Sequence, residues 1–89
     1  MILNVTKAEY LENYKIFLSF NNGESLPVDL ETVINNDKRK IFFPLRDIEY
    51  FKKFKLYLNT IVWENEADFA PEFLLELGRN QQPKEKICA

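Results

Sequence analysis

The stretch Tyr14-Lys15-Ile16-Phe17-Leu18-Ser19-Phe20-Asn21-Asn22-Gly23-Glu24-Ser25-Leu26-Pro27-Val28-Asp29-Leu30 decides the fold. Tyr14, Ile16, Leu18 and Phe20 recur at every second position, the period of a half-buried strand, and Leu26, Val28 and Leu30 resume it after Asn21-Asn22-Gly23. Register then fixes the turn. A two-residue loop at Asn22-Gly23 pairs Phe20 with Ser25 and Leu18 with Pro27, which throws the apolar sets of the two strands onto opposite faces. A loop running from Asn21 to Gly23 pairs Phe20 with Glu24, Leu18 with Leu26, Ile16 with Val28 and Tyr14 with Leu30, and keeps one apolar face. The spacing therefore predicts a type I turn closed by Gly23 in the left-handed conformation. Pro27 has no N–H to give to a ladder, so it belongs on an edge, or with its nitrogen turned away from the partner strand.

Working outward, Ile2 to Tyr10 also reads as a strand, but its apolar phase changes from Leu3 and Val5 to Ala8 and Tyr10. A bulge near Thr6-Lys7 reconciles the halves. Leu11-Glu12-Asn13 turns back, completing a three-stranded antiparallel meander. On the other side, Leu30 to Ile34 reads as one helical turn and Asn35 to Lys40 as a polar loop. Asp47 caps a short helix in which Ile48, Phe51 and Phe54 face the sheet, with Glu49 near its start and Lys52 and Lys53 near its end. Leu56 to Trp63 is β-prone, with a kink at Asn59-Thr60 between two extended pieces. Pro71 and Gly78 bracket a last helix as start and stop signals. The expected architecture is a single α+β domain over residues 1–78. It consists of the antiparallel meander, one or two later strands and one or two short helices packed on it, followed by a flexible tail over 79–89.

Composition narrows the function. The chain has 89 residues, 46% of them hydrophobic and 15% aromatic, with a net charge of −2. That is one domain, whose small core leaves little room for a large cofactor pocket. There is no histidine and a single cysteine, Cys88. Histidine-dependent triads, structural zinc and an internal disulfide all lose their residues, and Cys88 is read as an incidental thiol on a polar tail. Neither a signal peptide nor a run of roughly 18 apolar residues is visible, so the expectation is a cytoplasmic protein with no membrane partner. No catalytic, cofactor-binding or metal-binding residues are assigned, and the chain is expected not to be an enzyme. Asp29 and Asp68 are the weak candidates for a carboxylate pair, and Ser19 and Ser25 for a nucleophile that nothing activates.

Charge is unevenly spread: residues 1–36 carry a net −3, residues 37–55 a net +4 and residues 56–89 a net −3. Lys38, Arg39, Lys40, Lys52, Lys53 and Lys55 are the candidate nucleic-acid contacts. Against them stands a sequence pI of about 5.1, where dedicated binders are basic.

Three segments carry a resemblance. They are Ala8-Glu9-Tyr10-Leu11 with Val28-Asp29-Leu30, then Phe43-Pro44-Leu45-Arg46-Asp47, and finally Thr60 to Leu74. Together they resemble the bacterial domain of unknown function 2442, over roughly Ile2 to Leu77. Its most specific element reads Trp-Pro-Asn-Gly-Ala-Asp followed shortly by Pro-Glu. Trp63, Asn65, Ala67, Asp68, Pro71 and Glu72 match it, while Glu64 replaces the proline and Glu66 the glycine. If that glycine has a positive φ, Glu66 must bear the strain or the turn must change. The resemblance implies a small α+β domain. Some members are joined to a helix-turn-helix segment, for which the residues after Gly78 are too few, and many are encoded beside a second small protein, as toxin and antitoxin pairs are.

The expected function is thus that of a protein-interaction domain, the antitoxin-like or regulatory member of a two-gene pair. Its candidate partner-binding residues are Arg46, Asp47, Trp63, Asn65 and Asp68, although a tryptophan closing an apolar strand more often belongs to a core and an Asp47 cap needs no partner. The mechanism expected is strand addition at an open sheet edge, or docking on the aromatic surface between Phe42 and Trp63. The same edge would also serve a homodimer. Nucleic-acid binding through the basic stretch is the alternative.

Overall fold

The computed structural model describes residues 2–82. It has the expected α+β architecture. Strands β1 (Val5–Glu12), β2 (Lys15–Phe20) and β3 (Ser25–Asp29) form an antiparallel sheet in the order β1-β2-β3. The register of the deciding hairpin is the one that a single apolar face demands: Leu18 pairs with Leu26 and Ile16 with Val28. The Phe20 N–H donates to the Glu24 carbonyl at 2.8 Å, the Leu30 N–H donates to Tyr14 at 2.9 Å, and Gly23 takes φ +91°. Between β1 and β2 the pairing steps from Val5–Phe20 to Lys7–Ser19, so Thr6 is the extra residue of the expected bulge. A second irregularity lies between Tyr10 and Glu12. The strand begins at Val5 rather than Ile2, and the reversal falls after Glu12, where Asn13 takes φ +51°.

The connection after β3 is helical: α1 (Glu31–Asn36), a 3₁₀ turn over Lys40–Arg46, and α2 (Ile48–Phe51). Asp47 caps α2 as expected, its carboxylate accepting from the Glu49 N–H at 3.1 Å. That helix is a single turn, so of the three residues expected to face the sheet only Phe51 is fully buried. Next come β4 (Lys55–Tyr57) and β5 (Thr60–Val62), which pair with each other. The expected kink at Asn59-Thr60 is instead a tight hairpin: Tyr57 pairs with Thr60, and the two loop residues Leu58 and Asn59 take φ +51° and +75°. Positive φ at both positions is the twist that matches two-residue hairpins. The sequence hides it because a leucine stands where glycine or asparagine is usual. The last helix, α3 (Pro71–Gln81), starts at its proline but runs through Gly78 to Gln81, into the stretch expected to be tail. The rest of that tail, 83–89, with Cys88, lies outside the described residues.

The core forms where the inner face of the meander meets the helices and the second hairpin. Ile16, Leu18, Val28, Leu30, Ile34, Leu45, Phe51, Ile61 and Leu74 are fully inaccessible. Each such side chain contributes about 1.5–3 kcal/mol of transfer free energy on burial.

Candidate functional site

Four of the residues singled out for partner binding are engaged within the fold. Trp63 is 2% exposed. Its Nε1–H donates to the Phe51 carbonyl at 2.9 Å, and its ring lies 5.6, 6.3 and 5.8 Å from those of Phe51, Phe54 and Phe69. The structure thus places Trp63 in the core. Asn65 is spent on local bonds: its Nδ2 donates to the Ile41 carbonyl at 2.8 Å, its Oδ1 accepts from Ala67 at 3.1 Å, and its N–H donates to the Tyr50 hydroxyl at 3.0 Å. Arg46 ties the 3₁₀ turn to α1 through a 3.1 Å bond to the Asn35 carbonyl and lies over the Phe43 ring at 4.6 Å, while its own carbonyl accepts from the Tyr14 hydroxyl. Asp47 is the α2 cap already described. Asp68 is exposed and lines a cleft of about 510 Å³ with Asp37, Arg39, Phe69 and Phe73.

The turn carrying the Trp63–Asp68 motif keeps a glycine-like shape without glycine. Glu66 takes φ +73°, its N–H donates to the Trp63 carbonyl at 2.8 Å, and the Trp63 N–H donates to Ala67 at 2.9 Å. Of the two outcomes foreseen for this position, the backbone keeps the turn and Glu66 carries the strain.

The basic residues differ among themselves. Arg39 forks onto Asp37, with Nε–Oδ1 at 3.0 Å and Nη2–Oδ2 at 2.8 Å, and lies 4.7 Å over Phe42. That guanidinium, helped by the Arg39 N–H, holds the Asp37 carboxyl down at about 2 against an ordinary 3.8. Lys52 sits 3.6 Å from Glu49 and 5.6 Å over the Tyr10 ring. Lys38, Lys40, Lys53 and Lys55 are exposed and have no carboxylate within 4.0 Å among the described residues.

The candidates for chemistry are not assembled. The Asp29 carboxylate accepts from the Glu31 N–H at 3.0 Å and lines a cleft of about 780 Å³ beside Gln81. Asp68 lies by the opposite end of α3, and the helix's eleven residues span roughly 16 Å. Ser19 and Ser25 bond each other at 3.0 Å. No group of three or more His, Cys, Asp or Glu able to hold a metal occurs among the described residues, and no helix among them is long and apolar enough to cross a membrane.

Two observations bear on the expected docking surfaces. First, both sides of the meander are partly covered. The Gln81 and Gln82 side chains cover β3, and β4 runs beside β1, where the Val5 N–H donates to the Asn59 carbonyl at 2.9 Å. Second, Phe42 and Trp63, which bound the expected aromatic surface, are buried, but between them Phe43 is 46%, Leu56 44%, Tyr57 63% and Leu58 76% exposed, and Phe17 on the outer sheet face adds to the last three at 36%. Phe17 and Leu56 line one cleft of about 520 Å³ with Lys7, Ala8, Glu9 and Ser19. Sequence reasoning finds the two extended pieces but not the tight turn between them or its exposure, because the apolar run reads equally well as buried strand; the polar Asn59 is the local signal.

The model of the family described as Protein of unknown function (DUF2442) matches residues 5–80, and the chain belongs to that family. No curated protein matches it significantly. Among solved structures, that of the putative DNA-binding protein NE0471 from Nitrosomonas europaea is similar, with a TM-score of 0.73 at 21% identity. The match covers 91% of this chain and 52% of that one, so this chain spans about half its length. At that identity the likeness is one of fold.

Proposed function

We propose that this DUF2442 chain is a protein-interaction module whose contact surface is the β4–β5 hairpin and the adjoining outer face of the sheet. The observation that carries the reading is Leu58. A bulky side chain at φ +51° costs about 1–2 kcal/mol, and this one is 76% exposed, so the fold gains little burial in return. Strain held at an exposed apolar position is a reason to look for function there. Phe17, Leu56 and Tyr57 surround it with further accessible apolar area, the composition of an interface centre. The partner is a small protein. In the finer form of this proposal the domain is the antitoxin-like or regulatory half of a two-gene pair, cytoplasmic and without catalytic activity of its own.

The test is affinity purification of the tagged full chain from its host, with and without nuclease. Stoichiometric recovery of one small protein, unaffected by nuclease, is the expected result. Recovery of the tagged chain alone refutes the reading.

One observation favours a second reading. Lys38, Lys40, Lys53 and Lys55 stand unpaired among the described residues, and the similar Nitrosomonas protein is described as a putative DNA-binding protein. Nucleic-acid binding through these lysines would show affinity falling linearly with the logarithm of salt concentration, with a slope of about −0.9 per phosphate contacted. Recovered material lost on nuclease treatment favours this reading over the first.

A further inference from the structure

The outward-facing backbone groups of β3 are spent in an unusual way. Because Leu26 and Val28 pair with β2 through the ladder that also joins Phe20 to Glu24 and Tyr14 to Leu30, the groups that point away from the sheet are those of Ser25, Pro27 and Asp29. Pro27 has no N–H. The Asp29 N–H donates to Gln81 Oε1 at 2.8 Å, and the Asp29 carbonyl accepts from Gln81 Nε2 at 2.8 Å. One side-chain amide therefore occupies both groups, as the peptide of a neighbouring strand would. Gln82 Nε2 covers the Pro27 carbonyl at 3.3 Å and also returns to the Gly78 carbonyl of its own helix at 2.9 Å. At the other end of the strand, Arg79 forks onto Glu24. Every polar side chain of the last turn of α3 that reaches β3 is used on its free edge or beside it.

We infer that the last turn of α3 is an edge lock, in which Gln81 acts as a one-residue surrogate strand that prevents a second copy of this chain from adding to β3. An unprotected edge presents a row of donors and acceptors and invites pairing with another chain. Pro27 removes one donor from that row, and Gln81 and Gln82 occupy most of what remains. The inference does not rest on the hairpin as a contact surface, which lies on other strands.

The test compares the full chain with the double variant Gln81→Ala, Gln82→Ala, and with the same variant carrying Ser25→Lys, which places a charge on the edge. Trp63 fluorescence reports that the core is intact. In the double variant the Asp29 amide should exchange with solvent roughly tenfold faster, the equivalent of about one net hydrogen bond. The sedimentation-average mass should rise with concentration above that of the wild type, and Ser25→Lys should restore the wild-type value. The single variant Gln81→Ala, which keeps a helix-forming residue and loses both the acceptor and the donor, is read in the same way. Unchanged exchange, faster exchange with unchanged mass, or association that Ser25→Lys does not reduce would each overturn the lock.

Discussion

Gly78 of α3 lies so close to Val28 of β3 that a Cβ on the glycine would come within 2.9 Å of Val28 Cγ2 and would overlap Leu26 Cδ1 as well. The helix therefore rests directly on the inner face of the edge strand, a contact that positions Arg79, Gln81 and Gln82 over β3. Alanine is the better helix former by about 1 kcal/mol, but overpacking a filled core costs about 1–3 kcal/mol. Gly78→Ala is accordingly expected to lose about 1 kcal/mol of stability, and Gly78→Leu to lose more, in chemical denaturation. A neutral or stabilising Gly78→Ala would show that α3 can lift off the sheet without cost.

The same residue shows where the sequence is legible and where it is not. The meander could be read to the residue because two constraints, period-two alternation and a single buried face, leave one register for Phe20 to Glu24. Gly78 was open to misreading because a glycine near the end of an apolar helix has two explanations, a left-handed cap or a close approach to a neighbour. Only the position of Leu26 and Val28 decides between them. Trp63 and Asn65 stand out in the sequence for good reason, yet their polar groups bond backbone carbonyls of Phe51 and Ile41. Such partners are far along the chain and carry no sequence signal. The exposed hairpin residues were invisible for the opposite reason: nothing about Leu56-Tyr57-Leu58 marks them as uncovered until the strands are placed.

Glu66 occupies a glycine conformation, with φ +73°. Replacing it by glycine relieves about 1–2 kcal/mol of left-handed strain and returns about 0.5–1 kcal/mol to the entropy of the unfolded chain. The expected net effect of Glu66→Gly is a stabilisation of about 0.5–1 kcal/mol, visible as a raised melting temperature. A lower melting temperature would mean that the carboxylate makes a contribution that its φ angle conceals.

Stability should also respond to acid through Asp37. The Arg39 side chain depresses the Asp37 carboxyl to about 2, and the pairing of Glu24 with Arg79 lowers that carboxyl as well. A depressed folded-state value contributes stability that is present above the unfolded value, 3.8 for Asp37, and is lost as pH falls through about 2. Arg39 is 71% exposed, so the effect should shrink in high salt. The melting temperatures of wild type and Asp37→Asn are expected to differ at pH 6 and to converge between pH 4 and pH 2. A constant difference across that window would place the role of Asp37 in its uncharged contacts.

The most direct measurement joins the strained turn to the proposed interface by replacing Leu58 with asparagine, a residue that tolerates positive φ and carries no apolar surface. Purified from the host after nuclease treatment, the Leu58→Asn protein should melt at or above the wild-type temperature and yet recover at least tenfold less of the small protein partner, a loss corresponding to about 1.4 kcal/mol of binding free energy. A variant that melts as expected and retains its partner in full would contradict the assignment of the β4–β5 hairpin as the contact surface.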